Sequence, residues 1–261
     1  MTEPVKKKIL SFDLDMTLID DRTNRIPQSA LDAINKVRAN YHIVIATGRD
    51  LTLEVNHFVL EQVRPDAWVH NNGTQVHING TCVYFRHFNK TLLKRLLEFG
   101  MEHELCVCAN IDDIQYATNA KPLEPVKHIL CPGKPISTDV MKLLELPVQT
   151  LGLAGNDADA HVLRQAFPEL KVTPVIPNIW CDIMEPDVSK VLGMQKVLEH
   201  YNCTMDDVIA FGDSMNDYEI LSAAGYSVAM GNAAEKLKEI ADLVTDDIDK
   251  DGIAKALEKL C

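Results

Sequence analysis

Four short segments carry most of the residues able to do chemistry. The apolar run KILSF, 8–12, runs into DLDMTLID, which sets Asp13 and Asp15 one residue apart at the tip of an expected strand. A second run, HIVIA, ends in Thr47-Gly48-Arg49, and a third, in DVIAF, ends in Gly212-Asp213. In DVSKV, Lys190 falls in the first turn of an expected helix. Carboxylates with a few other oxygens favour a hard cation, Mg²⁺ above all. Asp213 and Asp217 flank SMN, four apart at a helix start, so both can face one pocket. Asp13 and Asp213 would then hold the metal from two strand ends. An aspartate is ionised at neutral pH, so a carboxylate of the first strand could attack phosphorus directly.

The difficulty for such a site is repulsion. A phosphate dianion near a carboxylate costs about 4 kcal/mol per unit-charge pair at about 4 Å and an effective dielectric of about 20. Mg²⁺ would bring two positive charges and Lys190 a third. Thr47 and the amides around Gly48 offer phosphate donors where a helix begins. Taken singly, each piece has an ordinary structural explanation. An aspartate after a strand is usually a turn former or cap, which is the reading for Asp20, Asp21 and Asp50. Ser189 and Ser214 read as helix caps. The weight lies in four pieces arriving in order, each at a strand end or a helix start.

The elements that must position these residues alternate. Strands are expected at 9–12, 42–46 and 67–70, with helices at 27–39 and 51–62 between them. The rhythm returns with a helix at 189–201, a strand at 208–211, a helix at 215–224 and a strand at 227–229. A helix at 234–240, a strand at 243–245 and a last helix complete it. Continuous apolar strands alternating with helices predict an α/β fold, a doubly wound parallel-sheet (Rossmann-like) core. Such sheets bind ligands beyond the carboxyl ends of their strands, where strand order reverses. That brings Asp13, Asp15, Thr47 and Asp213 to one edge. The middle of the chain differs. Asn79-Gly80 between two short β-like runs marks a hairpin. Residues 84–181 read as an inserted α+β domain, leaving 1–83 and 182–261 as a discontinuous core.

Composition removes several classes of function. The chain has 261 residues with a formal net charge of -12, and no basic stripe interleaved with aromatics, so nucleic acid is not expected as a partner. No run approaches the roughly 20 apolar residues of a membrane span, and Asp13 breaks the N-terminal apolar stretch too early for a signal-peptide core. The seven cysteines are scattered, and only Cys106 and Cys108 are close. Reduced thiols and a cytoplasmic location are expected. There is no G-x-S-x-G elbow and no phosphate loop of the G-x-x-x-x-G-K-[ST] type. The sequence sets no oligomeric state.

FDLDMTLID, IATGR, VSK and GDSMND resemble the four motifs of the haloacid dehalogenase superfamily, over essentially the whole chain. The insert between the second and third resembles the α+β (type 2) cap of Cof-type sugar-phosphate phosphatases. The resemblance implies that Asp13 is the nucleophile, forming an aspartyl-phosphate, and that Asp15 protonates the leaving group and then activates water. It implies phosphate binding by Thr47 and Lys190, with Leu14 and Gly48 in the same substrate-binding set. Asp213 becomes a Mg²⁺ ligand with Asp13 and the main-chain carbonyl of Asp15, and Asn216 and Asp217 support metal and phosphate. Asn72-Gly73 resembles a family turn near the substrate. Two positions depart from the pattern: Met16 and Val191 stand where glycine is usual. The implied activity is Mg²⁺-dependent hydrolysis of a small phosphorylated metabolite, expected to be a sugar phosphate. A phosphotransferase or phosphomutase, or a non-catalytic phosphometabolite-binding protein, are the alternatives.

Overall fold

The computed structural model describes residues 6–261. The first apolar run forms β1 (Lys8–Phe12), with all but its first residue buried. It is followed by α1 (Gln28–Val37), β2 (Tyr41–Ala46), α2 (His57–Val63) and β3 (Ala67–His70). Strands β4 (Gln75–Ile78) and β5 (Thr81–Phe85) form the expected hairpin. Asn79 (φ 50°) and Gly80 (φ 80°) supply the two left-handed residues that a tight two-residue turn demands.

The chain then enters a second compact unit, Arg86–Val188. It contains α3 (Lys90–Glu102), β6 (Cys106–Ile111), β7 (Ile114–Ala117), α4 (Lys127–Leu130) and β8 (Ile136–Ser137). It continues with β9 (Leu151–Ala154), α5 (Asp157–Ala166), β10 (Lys171–Ile176) and β11 (Trp180–Met184). Its six strands lie in the order β10-β11-β9-β6-β7-β8, antiparallel except for the last pair. It has its own apolar core, built from residues such as Leu93, Leu97, Val107, Leu153, Leu163 and Ile183. The expected boundary at 181/182 falls inside β11, whose pairing with β9 and β10 keeps the whole strand in this sheet. The first unit resumes at Ser189.

From there run α6 (Lys190–Tyr201), β12 (Val208–Gly212), α7 (Tyr218–Ala223), β13 (Tyr226–Ala229), α8 (Glu235–Ile240), β14 (Leu243–Val244) and α9 (Gly252–Leu260). With the first five strands they build an eight-stranded sheet, β14-β13-β12-β1-β2-β3-β4-β5. It is parallel from β14 to β3, and only the hairpin adds antiparallel strands. The central parallel strands are buried on both faces, which is why their sequences are apolar without alternation, while the edge strand β14 is partly exposed. At the centre, Phe12 and Phe211 stack across β1 and β12, with ring centroids 4.7 Å apart. Among the described residues no helix is long and apolar enough to cross a membrane.

Two expected helices start late, and in each case polar side chains rebuild the first turn. The helix expected from 51 begins at His57. The Asp50 carboxylate instead accepts from the amide and hydroxyl of Thr52, and Asn56 Nδ2 donates to the Asp50 carbonyl at 2.7 Å. The helix expected from 215 begins at Tyr218, after a 3₁₀ turn over Met215–Asp217. There Asp217 folds back to accept from the Ser214 amide at 3.2 Å.

One close approach fixes the start of α6. Asn71, Asn72 and Gly73 are all left-handed, with φ of 50°, 55° and 96°. Their turn lies hard against the helix start: a Cβ on Gly73 would sit 2.0 Å from the Ser189 carbonyl oxygen. Gly193, one turn into α6, completes the fit, since a Cβ there would lie 2.3 Å from Val69 Cγ1. Val191, at the position where the family pattern has glycine, is half-buried against the core and keeps the helix intact. Gly73→Ala should therefore destabilise the protein by about 2 kcal/mol or more through overpacking and a strained φ. Chemical denaturation measures this directly, and an unchanged unfolding midpoint would refute the close approach.

Candidate active site

The strand order places β1 at the switch point. Successive connections run from β1 to β2 on one side, while β12 and β13 lie on the other. At the carboxyl ends of these strands stand Asp13, Thr47 and Asp213. The Asp13 amide still donates to the Phe211 carbonyl at 3.1 Å, and that of Thr47 to Val69 at 2.9 Å. Both side chains are thus held in strand register at the sheet's edge.

Lys190 is the centre of the cluster. Its ammonium donates to Asp13 Oδ1 and to Asp217 Oδ1, each at 2.6 Å, and the residue is 1% exposed. Burial alone would push the ammonium down in pKa, but Asp13 and Asp217 outweigh it and hold the value above the ordinary lysine range. Asp217 is fully engaged: its other oxygen accepts from the amides of Asp213 (3.0 Å) and Ser214 (3.2 Å). Its two oxygens therefore tie the helix carrying Lys190 to the loop carrying Asp213. Gly212 makes room for it, since a Cβ at that position would meet Asp217 Cγ at 2.5 Å.

Asp213 Oδ1 accepts from the Thr17 hydroxyl at 2.9 Å, and Thr17 is wholly buried. Burial, and then Asp217, push Asp213 up to about 7, against the Thr17 hydrogen bond and Lys190. Asp13 is also pushed well up, first by burial and then by Asp217, against Lys190. One lysine cannot offset three carboxylates. The cluster therefore holds a proton more tightly than free carboxylates do, until another positive charge arrives. Among the described residues, Asp13, Asp213 and Asp217 offer carboxylate oxygens within 4.8 Å of one another. All-oxygen donors with surplus negative charge suit a hard divalent cation.

The second expected group, the phosphate binders, lies alongside. Thr47 is wholly buried, and its Oγ1 accepts from the Arg49 amide at 3.0 Å, which closes the turn around Gly48. A Cβ on Gly48 would stand 3.1 Å from Asn72 Oδ1 and 3.6 Å from Asn216 Nδ2. Asn216 Nδ2 reaches Asn72 Oδ1 at 3.5 Å, so the two carboxamides flank the glycine. Leu14, expected in the same substrate-binding set, follows Asp13. It is wholly buried in the core, and its carbonyl accepts from the amides of Thr17, Leu18 and Ile19. It can serve the site only through its backbone.

Asp15, expected as the proton donor with its main-chain carbonyl toward the metal, has a separate side-chain partner. Its half-exposed carboxylate is not with the other three; the Arg49 fork takes it, with Nε at 2.9 and 3.1 Å from its two oxygens and Nη2 also on Oδ1. Reading the motifs for carboxylates left two residues without a role. Thr17 had the signal of a fixed spacing, four after Asp13. Arg49 had the signal of directly following Thr47-Gly48. Met16 explains the glycine of the family pattern: its φ of 55° is left-handed, a conformation glycine takes without penalty. The turn is held by the Asn232 carboxamide, which donates to the Met16 carbonyl at 2.8 Å and accepts from Ile248 at 3.0 Å.

Fold and site define a phosphoric monoester hydrolase, and the comparisons with known proteins agree. The haloacid dehalogenase-like hydrolase model matches residues 10–257, and the chain belongs to that family. It is 42% identical to the Bacillus subtilis 5-amino-6-(5-phospho-D-ribitylamino)uracil phosphatase YcsE, over 98% of this chain and 96% of that protein. The solved phosphatase BT1666 from Bacteroides thetaiotaomicron is 27% identical, with a TM-score of 0.88 over 97% of this chain and 94% of that one. The solved subclass IIB sugar phosphatase BT4131 is 25% identical, with a TM-score of 0.85 over 97% and 99%.

The shifted carboxylates give a pH signature with a definite sign. A carboxyl whose folded pKa is raised binds its proton more tightly in the native state, so its contribution to stability is present at low pH and lost as pH rises. For Asp213 the loss runs from about pH 4, its unfolded value, to about 7. In EDTA, wild type should lose thermal stability relative to Asp213→Asn across that window. Added Mg²⁺ should raise the wild-type melting temperature more at the upper end of the window than at the lower. A stabilisation by cation that does not grow with pH would contradict the crowding of these carboxylates.

Proposed function

We propose that this protein is a Mg²⁺-dependent phosphatase of a small phosphorylated metabolite, most simply a sugar phosphate, acting through an aspartyl-phosphate on Asp13. The observation that carries this reading is the buried Lys190 ammonium on Asp13 Oδ1, which fixes the carboxylate at a strand end and leaves Oδ2 for attack. Support for the sugar phosphate is coarser: it comes from the likeness to BT4131. The all-oxygen cluster of Asp13 and Asp213, with the Asp15 carbonyl expected from the family pattern, would hold Mg²⁺. When bound, the ion supplies charge that offsets the repulsion between phosphate and carboxylates.

The residues then divide the work. Asp13 Oδ2 attacks phosphorus and the ester P–O bond breaks. The departing oxygen takes the proton of the Asp15 carboxyl. A water molecule, giving a proton to the Asp15 carboxylate, next attacks phosphorus, releasing inorganic phosphate and restoring Asp13. Lys190 offsets charge on Asp13 and on the transferring phosphoryl oxygens. The Thr47 hydroxyl and the amides of the Gly48 turn bind those oxygens, with Asn72 and Asn216 walling the turn. We assign the second unit, Arg86–Val188, the role of a cap that selects the leaving group. All seven cysteines are free thiols, in keeping with a cytoplasmic enzyme.

Asp13→Asn should reduce turnover to background on every ester, because no nucleophile remains. Asp15→Asn should lower leaving-group release from a sugar phosphate by about 10²–10⁴-fold, the usual range for a lost proton donor. It should spare release of p-nitrophenol from its phosphate, whose leaving group needs no proton. Phosphate should then remain on Asp13 because the second step has lost its base. Mass spectrometry of the acid-quenched variant should find one phosphate on the peptide containing Asp13, and its absence there would remove Asp13 as nucleophile.

A further inference from the structure

The grip of Arg49 on Asp15 is more than an incidental ion pair, because the guanidinium is held on both sides. Nε and Nη2 engage the Asp15 carboxylate, while Nη1 donates to Asn56 Oδ1 at 3.1 Å. Asn56 is 5% exposed and is itself fixed, through Nδ2, on the Asp50 carbonyl at 2.7 Å. The Arg49 amide is anchored on Thr47 Oγ1. Asp21 stands 3.9 Å from Nη2, a second anion on the same fork. The turn of residues 49–56 that replaces the first part of the expected helix thus has a definite product: a guanidinium aimed at one carboxylate.

Guanidinium nitrogens only donate, so each of these contacts requires Asp15 as an acceptor. A carboxyl that must present its O–H to a departing oxygen cannot do so from within that fork. Arg49 also directly follows the Thr47-Gly48 turn, where a substrate phosphate would bind. A phosphate dianion there carries more charge than a carboxylate and suits the same bidentate geometry, so it competes for the guanidinium and repels Asp15.

We propose that Arg49 is a positioning residue for proton transfer: in the ligand-free enzyme it holds Asp15 aside, and phosphate at the Thr47-Gly48 turn takes over the guanidinium and releases Asp15 to the reacting oxygens. The inference rests on the reading of Asp15 as the proton donor. It couples the acid to the presence of substrate, and it makes Arg49 matter most for esters whose leaving group needs a proton.

The test is single-turnover release of leaving group by wild type, Arg49→Met, Arg49→Lys and Asp15→Asn, each with a sugar phosphate and with p-nitrophenyl phosphate. Arg49→Met should slow the sugar phosphate at least about tenfold more than the aryl ester, a part of the full effect of losing the proton donor. Arg49→Lys, which keeps the charge but not the fork, should recover little of this. In the double variant with Asp15→Asn the selective effect of Arg49→Met should disappear, since it acts through Asp15. A crystal structure with Mg²⁺ and vanadate should show Asp15 off the Arg49 fork and on the vanadate. Equal slowing of both esters, or an intact Arg49–Asp15 pair in the vanadate complex, would overturn the proposal. If Asp15→Asn itself fails to distinguish the two esters, the assignment of Asp15 as acid falls instead.

Discussion

A lysine ammonium with 1% exposure cannot stand alone, and the site is organised by that requirement. Moving the charge out of water costs several kcal/mol, and only anions in good geometry offset it. Asp13 and Asp217 do so from two different segments, so the ammonium joins the end of β1, the start of α6 and the loop after β12. Removing either carboxylate would leave a buried charge short of a partner, a loss typically of about 3–5 kcal/mol. The glycines around the cluster follow from the same demand. Gly212 lets Asp217 fold back on its loop, and Gly73 lets α6 start close enough to bring Lys190 to β1.

Holding one cation among three carboxylates leaves the cluster unbalanced by design of its residues rather than by any fault in packing. Thr17 and the amides of Asp213 and Ser214 satisfy hydrogen-bonding capacity but bring no formal charge. The remaining imbalance is what a cation or a proton answers. A site that is incomplete alone is ready for a ligand, and here that readiness can be traced to individual oxygens.

Much of this was legible in the sequence because open α/β sheets place functional residues by a rule of position. A polar residue that ends an apolar strand lies at the sheet's edge, and Asp13, Thr47 and Asp213 obey the rule although they are spread along the chain. The Asn79-Gly80 turn was readable because few residues accept two successive left-handed conformations. The direction of Asp15 was not readable, since spacing fixes a backbone position and not the partner a side chain takes. The late helix starts at His57 and Tyr218 depend on side-chain to backbone bonds from Asp50, Asn56 and Asp217, which compete locally with helix and leave no mark in hydrophobic periodicity. The continuity of β11 across 181/182 was not readable either, since only pairing with β9 and β10 shows which residues one strand holds together.

The order of strands also bears on how the protein is made. Strand β1 pairs with β2, which follows it closely, and with β12, where Ile9 lies beside Val208. At the usual pace of synthesis, those intervening residues take roughly 10–40 s to appear. Until then one edge of a strand whose last four residues are buried has no neighbour. The Arg86–Val188 unit, contiguous in the chain, meets all of its own partners first. On the ribosome the inserted unit can therefore be finished while the older-emerging half of the catalytic sheet is still waiting, and the nascent chain depends on whatever shields that edge in the interval.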